Sequence, residues 1–242
     1  MSTPTAAMIV IGDEILSGRT QDKNMHHLAG ELTAKGVPLV EARVISDDAE
    51  TIIATVRELS GRYTHVFTSG GIGPTHDDIT ADAVAAAFER PIDVREDARA
   101  LLAAHYAATG KELNDARLRM ARIPDGASLI ENPVSTAPGF TIENVHVMAG
   151  VPSVFRAMVA SVLATINGGA PILSESLQVI RPESEIAGPL GDLAARYPDL
   201  SFGSYPFIRD GVFGANVVVR GTEPGLLSEA VTALRQAFPE AA

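Results

Sequence analysis

Between Ala6 and Ile166 short apolar runs alternate with segments of helical period, and that alternation limits the fold more than any other feature of the chain. Ala6 to Gly12 reads as a strand stopped by glycine. Asp22 to Lys35 reads as a helix, with Met25, Leu28, Ala29 and Leu32 on one face and Gly36 as its stop. The same rules predict a strand over Val37–Val44, a helix over Asp48–Ser60, a strand over His65–Thr68, and helices over Asp78–Phe88 and Asp97–Thr109. Two further strands follow near 128–131 and 140–148, joined by the turn-rich stretch Asn132 to Gly139, and a helix over Ser153–Ile166 closes the unit. Strands that alternate with helices form a largely parallel sheet covered on both faces, an α/β architecture.

Asn167-Gly168-Gly169-Ala170-Pro171 reads as a linker, because helix-stop and turn residues coincide there and the pattern changes after it. The domains are therefore 1–167 and 172–242. The second reads strand (Leu177–Ile180), helix (Ser184–Tyr197), two strands (Leu200–Phe207 and Gly214–Arg220) joined at Asp210-Gly211, and helix (Gly225–Phe238), a small α+β unit. The net charge of −11 disfavours a phosphodiester backbone as partner, so no nucleic-acid binding is expected. Small phosphorylated ligands remain compatible, since backbone N–H groups and a bridging metal can hold them. With no cysteine, disulfides, thiolate metal sites and a cysteine nucleophile are excluded. No apolar run approaches the length of a membrane span, and Ala6–Ile11 follows no basic segment, which predicts a cytoplasmic protein without membrane partners.

The chemistry concentrates in Thr68-Ser69-Gly70-Gly71-Ile72-Gly73-Pro74-Thr75-His76-Asp77-Asp78-Ile79-Thr80, after a buried strand and before a helix. In an open α/β sheet ligands bind at that place. Glycines there allow positive φ and close approach of the backbone. Free N–H groups and the helix N-terminus favour an anion, and Thr68, Ser69 and Thr75 add hydroxyls. The plainer reading is a tight turn with Asp78 as helix cap. The loop has neither the Gly-Lys-Ser/Thr of a Walker loop nor the Rossmann spacing. One carboxylate suffices as a cap; two, Asp77 and Asp78, point to Mg2+ or another divalent metal bridging carboxylate and phosphate oxygens.

Asp13-Glu14 and Asp47-Asp48 end the first two strands as Asp77-Asp78 follows the third, and parallel strands deliver their ends to one edge. Capping by Asp48 and solvation of Glu14 are the plainer readings. His26 and His27 are adjacent on a helix and cannot share a metal, whereas His76 sits within the loop. Ser153 reads as a helix cap, and Gly150 as a point of close approach to the pocket.

The stretches Gly12–Gly18, Asn24, Ser69–Thr80, Ala137–Phe140 and Gly150–Ser153, taken in order, resemble the MoaB/Mog molybdopterin-binding domain family, and within it the N-terminal part of competence/damage-inducible protein A (CinA). The resemblance implies a three-layer α/β/α molybdopterin-binding-like domain with a mostly parallel sheet, binding a phosphorylated pterin or nucleotide over the Gly loop, with molybdopterin itself among the ligands. In Mog-type relatives, positions matching Asp78 and the Asp47-Asp48 stretch serve adenylylation of molybdopterin. CinA-type relatives are associated with hydrolysis of a pyrophosphate such as ADP-ribose with a divalent metal. The small second unit looks like the domain that follows this module in CinA and FAD-synthase relatives. CinA proteins carry a glycine near Ser135, an acid near Val154 and a further amidase domain, and no amidase activity is expected here.

The candidate set is thus Asp78, Asp47 and Glu14 for catalysis and Asp77 with Asp78 for metal. Ligand contact is expected from Asp13, Asn24, Thr68, Ser69, Gly70, Gly71, Gly73, Pro74, Thr75, His76, Thr80, Ser135, Gly150 and Pro152. The resemblance also implies a homo-oligomer.

Overall fold

The computed structural model describes residues 4–209 and 211–241 and divides the chain into two compact units, 1–169 and 170–242. The first unit runs β1 (Ala6–Ile11), α1 (Asp13–Leu16), α2 (Asn24–Ala34), β2 (Leu39–Ile45), α3 (Ala49–Ser60), β3 (His65–Ser69) and α4 (Thr80–Ala87). It continues through β4 (Ile92–Val94), α5 (Glu96–Ala108), α6 (Asp115–Leu118), a 3-10 turn at Arg119–Ala121, β5 (Arg122–Pro124), β6 (Ser128–Ile130), β7 (Gly139–Ile142), β8 (Val145–Met148) and α7 (Pro152–Leu163). The main sheet has the order β2-β1-β3-β8-β7-β6. β2, β1, β3 and β8 are parallel, and β7 and β6 complete the sheet by antiparallel pairing.

Both faces of this sheet are buried, which makes it the middle of three layers. Along β1 the side chains alternate: Ala7, Ile9 and Ile11 join Ile52, Val56, Val84 and Leu102 on one face. Ala6, Met8 and Val10 join Leu28, Leu32, Phe155 and Met158 on the other. Continuous apolar runs are what a strand buried on both sides requires. The helices supply matching stripes, as the 3.6 period predicts.

Several boundaries move for identifiable reasons. After Gly36 (φ +73) the N–H of Val37 closes back onto Leu32, so Val37-Pro38 completes the helix stop and the strand starts at Leu39. Asp48 caps α3 by accepting from Thr51 N at 2.8 Å. Asp78 does not cap α4: that helix begins at Thr80, and the Asp78 carboxylate folds back onto Thr75 instead. Ser153 is not a cap either, because Val151 precedes α7 and Pro152 takes the first helical turn, where its missing N–H costs nothing. The single strand expected over 140–148 is the hairpin β7–β8, broken at Glu143 with φ +49. The ribbon β4–β5 and the one-turn helices α1 and α6 have no counterpart in the sequence reading.

The second unit consists of β9 (Leu173–Val179), α8 (Glu183–Arg196), β10 (Ser201–Arg209), β11 (Val212–Gly221) and α9 (Pro224–Ala237). Its antiparallel sheet, in the order β10-β11-β9, buries Val179, Val217 and Val219 with Ile186, Leu234 and Phe238 of the helices. β10 and β11 form the expected hairpin; Asp210 lies outside the described residues, and Gly211 takes φ +80.

Candidate functional site

A cavity of about 540 Å3 opens at the C-terminal edge of the parallel strands, within the usual size range of small-molecule sites. Ile11 from the end of β1, Asp47 from beyond β2, the Gly loop after β3 and Ala149-Gly150 after β8 form its floor and sides. Ser135 and Ala137 of the loop before β7, with Met120, Val151 and Val154, complete the wall.

Two glycines of the loop are fixed by positive φ and by crowding. Gly70 has φ +112, and a Cβ there would collide with the carbonyl oxygen of Ile11. Gly71 has φ +69, and a Cβ there would collide with the Thr80 hydroxyl. The loop is tied down by Gly70 N–H to Met148 O at 3.1 Å and Thr80 N–H to Gly71 O at 2.9 Å. Asp78 Oδ2 accepts from Thr75 N at 2.8 Å and from Thr75 Oγ1 at 2.5 Å. The N–H groups of Gly71, Ile72 and Gly73 make no hydrogen bond within the described residues, the arrangement that favours an anion.

Four carboxylates gather on this cavity: Glu14, Asp47, Asp77 and Asp78. Asp47 Oδ2 accepts from the N–H of Asp13 at 2.9 Å, which joins the ends of the first two strands. Burial pushes the Asp47 carboxyl up, the Asp13 N–H opposes that, and the charges of Asp13, Glu14 and Asp77 push it up further. Among the described residues no lysine, arginine or histidine lines the cavity. Among the described residues no group of three His, Asp or Glu side chains is disposed to hold a metal ion by itself.

The other expected residues divide into two sets. Gly70, Gly71, Gly73, Pro74, Ser135, Gly150 and Pro152 line the cavity. Asn24, Thr68, Ser69, Thr75, His76, Thr80 and Asp13 do not. Asn24 is buried and acts as a tie: its Nδ2 donates to Ser69 Oγ at 2.8 Å and to Gly150 O at 2.7 Å, joining α2 to the ends of β3 and β8. Thr68 and Thr80 are buried beneath the loop, their hydroxyls without a protein partner. The His76 side chain is almost wholly exposed, its Nδ1 3.9 Å from Asp77.

Sequence reading missed the role of Asn132, a buried residue whose Nδ2 donates to Ser135 Oγ at 2.6 Å and to Ala137 O at 2.8 Å. Its signal was the Asn-Pro start of a turn. Met120 carried none, because it reaches the cavity from a 3-10 turn.

A three-layer α/β sheet with a Gly-rich anion loop at its carboxyl edge is the architecture of probable molybdopterin binding domains. Residues 7–168 match the model of that family, and the chain belongs to it. Residues 171–242 match the FAD synthase middle domain. The crystal structure of CinA from Thermoplasma acidophilum is 34% identical and superposes with a TM-score of 0.62 over 67% of this chain and 99% of that one. A probable FAD synthase of Caenorhabditis elegans is 32% identical over 256 aligned positions, covering 96% of this chain and 49% of that protein. A CinA-like protein of Gemmatimonas aurantiaca is 36% identical over 200 positions, covering 77% and 47%. The chain thus spans about half the length of these two curated relatives. Among the described residues no helix is long and apolar enough to cross a membrane.

Proposed function

We propose that the chain binds a phosphorylated nucleotide- or pterin-like molecule over the Gly loop and hydrolyses its pyrophosphate bond with a divalent cation. One observation carries this reading: four carboxylates and no basic side chain line the cavity. A phosphate placed about 4 Å from a single such carboxylate meets repulsion of about 4 kcal/mol at the effective dielectric of a protein surface. A cation between them reverses the sign, and Mg2+ favours this donor set, a few carboxylates completed by water and substrate phosphates. Asp77 and Asp78 would hold it; Thr75 engages only Oδ2 of Asp78. When bound, the ion polarises the phosphoryl oxygens and offsets their charge.

The chain's own groups do the rest. The free N–H groups of Gly71, Ile72 and Gly73 cradle the phosphate and stabilise charge that develops on it. Asp47, with its carboxyl held above the ordinary range, is the group best suited to take a proton from the attacking water. Glu14 orients that water. Water then adds across the P–O–P bond and two monophosphates leave. Ile72, Met120, Val151 and Val154 give the cavity apolar surface suited to a ring system.

The test is release of mononucleotides from ADP-ribose, FAD, NAD and ATP with Mg2+, Mn2+ or Co2+, followed by chromatography. Cleavage of one of them that disappears in Asp78→Asn is the expected result; full activity in Asp78→Asn refutes the assignment. A second reading, ligand binding without chemistry, is favoured by the engagement of Asp78 with Thr75. It predicts tight binding of a nucleotide or molybdopterin with no turnover under any metal. Transfer of AMP from ATP to molybdopterin would instead make the chain an adenylyltransferase.

A further inference from the structure

We infer that His105 is a positioning residue for the cavity rim: through its hydrogen bond to Thr136 it holds residues 132–137 in a strained conformation that keeps Ser135 and Ala137 in the cavity wall. The inference rests on the proposed function only for the identity of the ligand.

Thr136 has φ +68. A β-branched residue in the left-handed region is a genuine outlier, and such strain persists only where the surroundings enforce it. Glu89 and Glu143, the other non-glycine residues with positive φ among those described, are unbranched and sit on exposed turns. Thr136 instead lies between two residues that face the ligand space.

The inner end of this strap is fixed by Asn132. Its Oδ1 accepts from the N–H groups of Val134 and Ser135, each at 3.1 Å. Its Nδ2 donates to Ser135 Oγ and Ala137 O, and its carbonyl accepts from Thr136 N–H at 3.0 Å. All of these bonds lie within the strap. One side-chain bond leaves it: Thr136 Oγ1 lies 3.0 Å from Nδ1 of His105, in the last turn of α5. The His105 ring meets Tyr106 edge-on, with centroids 5.3 Å apart, and the Arg117 guanidinium lies 4.3 Å above the Tyr106 ring. His105 does not line the cavity, so it acts through Thr136. Without that bond Thr136 relaxes toward negative φ, and Ser135 and Ala137 leave the wall.

The test measures hydrogen exchange of residues 132–137 in the full chain. His105→Ala and Thr136→Val, the latter keeping the branched side chain and its strain, each speed exchange there about fivefold to tenfold, the effect of one lost hydrogen bond. Exchange in β1 and β3 stays unchanged. The double variant is no faster than either single one, because the two changes remove the same bond. Unchanged exchange in the singles, or effects that multiply in the double, overturn the inference. ADP-ribose with Mg2+ supplies the second readout: both singles raise its KM by a similar factor with kcat little changed, and equal KM values also overturn the link to the ligand. If the wild-type chain neither binds nor cleaves ADP-ribose, FAD, NAD or ATP, the proposed function falls and the strap still stands or falls by its exchange rates.

Discussion

Two charge clusters on and just beyond β2 behave in opposite ways. Within the strand Arg43 donates to Glu41 at 2.7 Å and to both oxygens of Glu58, while Arg62 and the Tyr63 hydroxyl complete the set. Every carboxylate there has a cationic partner; Arg43, with a smaller contribution from Arg62, draws the Glu58 carboxyl down to about 2. Just beyond its C-terminal end Asp47 faces Asp13, Glu14 and Asp77, and its carboxyl is pushed up. One strand thus leads from a neutralised network to a concentrated negative field. Paired charges on a surface contribute little beyond local order. Like charges brought together without cations cost stability, and perturbed groups of this kind gather at functional sites. The difference between the two clusters is what makes the cavity edge the place where the proposed cation would bind.

The comparison breaks most visibly at Asp78. If the acidic edge works through a cation, Asp78→Asn lowers turnover at least about a hundredfold, and EDTA does the same to the wild-type enzyme until Mg2+ is restored. Glu58→Gln at the paired end leaves turnover unchanged. A chelator-resistant activity would separate the field from any metal.

Next in size is the loop itself. Gly70→Ala places a Cβ against the carbonyl of Ile11 at φ +112. It should lower stability by roughly 2 kcal/mol or more, read as a shift of the urea midpoint. Gly110→Ala, also at positive φ but with open space around it, should cost less. Equal losses would mean that conformation alone, and not the approach of two strands, demands glycine in the loop.

The pH dependence sharpens the contrast, because the two clusters have opposite signs. Glu58 has a folded pKa below its unfolded one, so its stabilisation is present above about pH 4.5 and is lost as pH falls toward 2. Asp47 has a folded pKa above the ordinary 3.8, so it weakens the fold as pH rises through that value and the carboxyl ionises. Chemical denaturation from pH 3 to 7 should therefore show Glu58→Gln losing most relative to wild type at the upper end, and Asp47→Asn gaining most there. The smallest effect is a rise in Tm of wild-type protein on adding Mg2+ without nucleotide, reduced in Asp77→Asn; a rise of equal size in that variant would place the ion elsewhere.

Much of the cavity edge was legible in sequence because local chemistry forces it. An apolar run ended by Ser69-Gly70-Gly71 can only be a buried strand entering a tight turn, and acids after successive parallel strands must arrive at one edge. Glu14, Asp47, Asp77 and Asp78 do line one cavity. The roles of single residues were less legible. The plainer reading of Asp78 as a helix cap fails, because its carboxylate closes the loop on Thr75. Asn24, read as a ligand contact, ties α2 to Ser69 and to Gly150, the latter 126 residues from it in sequence. His76 looked central to the loop and its side chain lies in solvent.

The main alternation of strands and helices, the division near residue 169, the glycine turn and the gathering of acids are written in the sequence, since each depends on periodicity, backbone freedom or the polarity of parallel strands. Tertiary structure alone decided which hydroxyls and amides face the cavity, the pairing of β4 with β5, and the bond between His105 and Thr136. Those depend on contacts between residues far apart in the chain, and no local pattern encodes which distant partner a polar group will meet when the layers close.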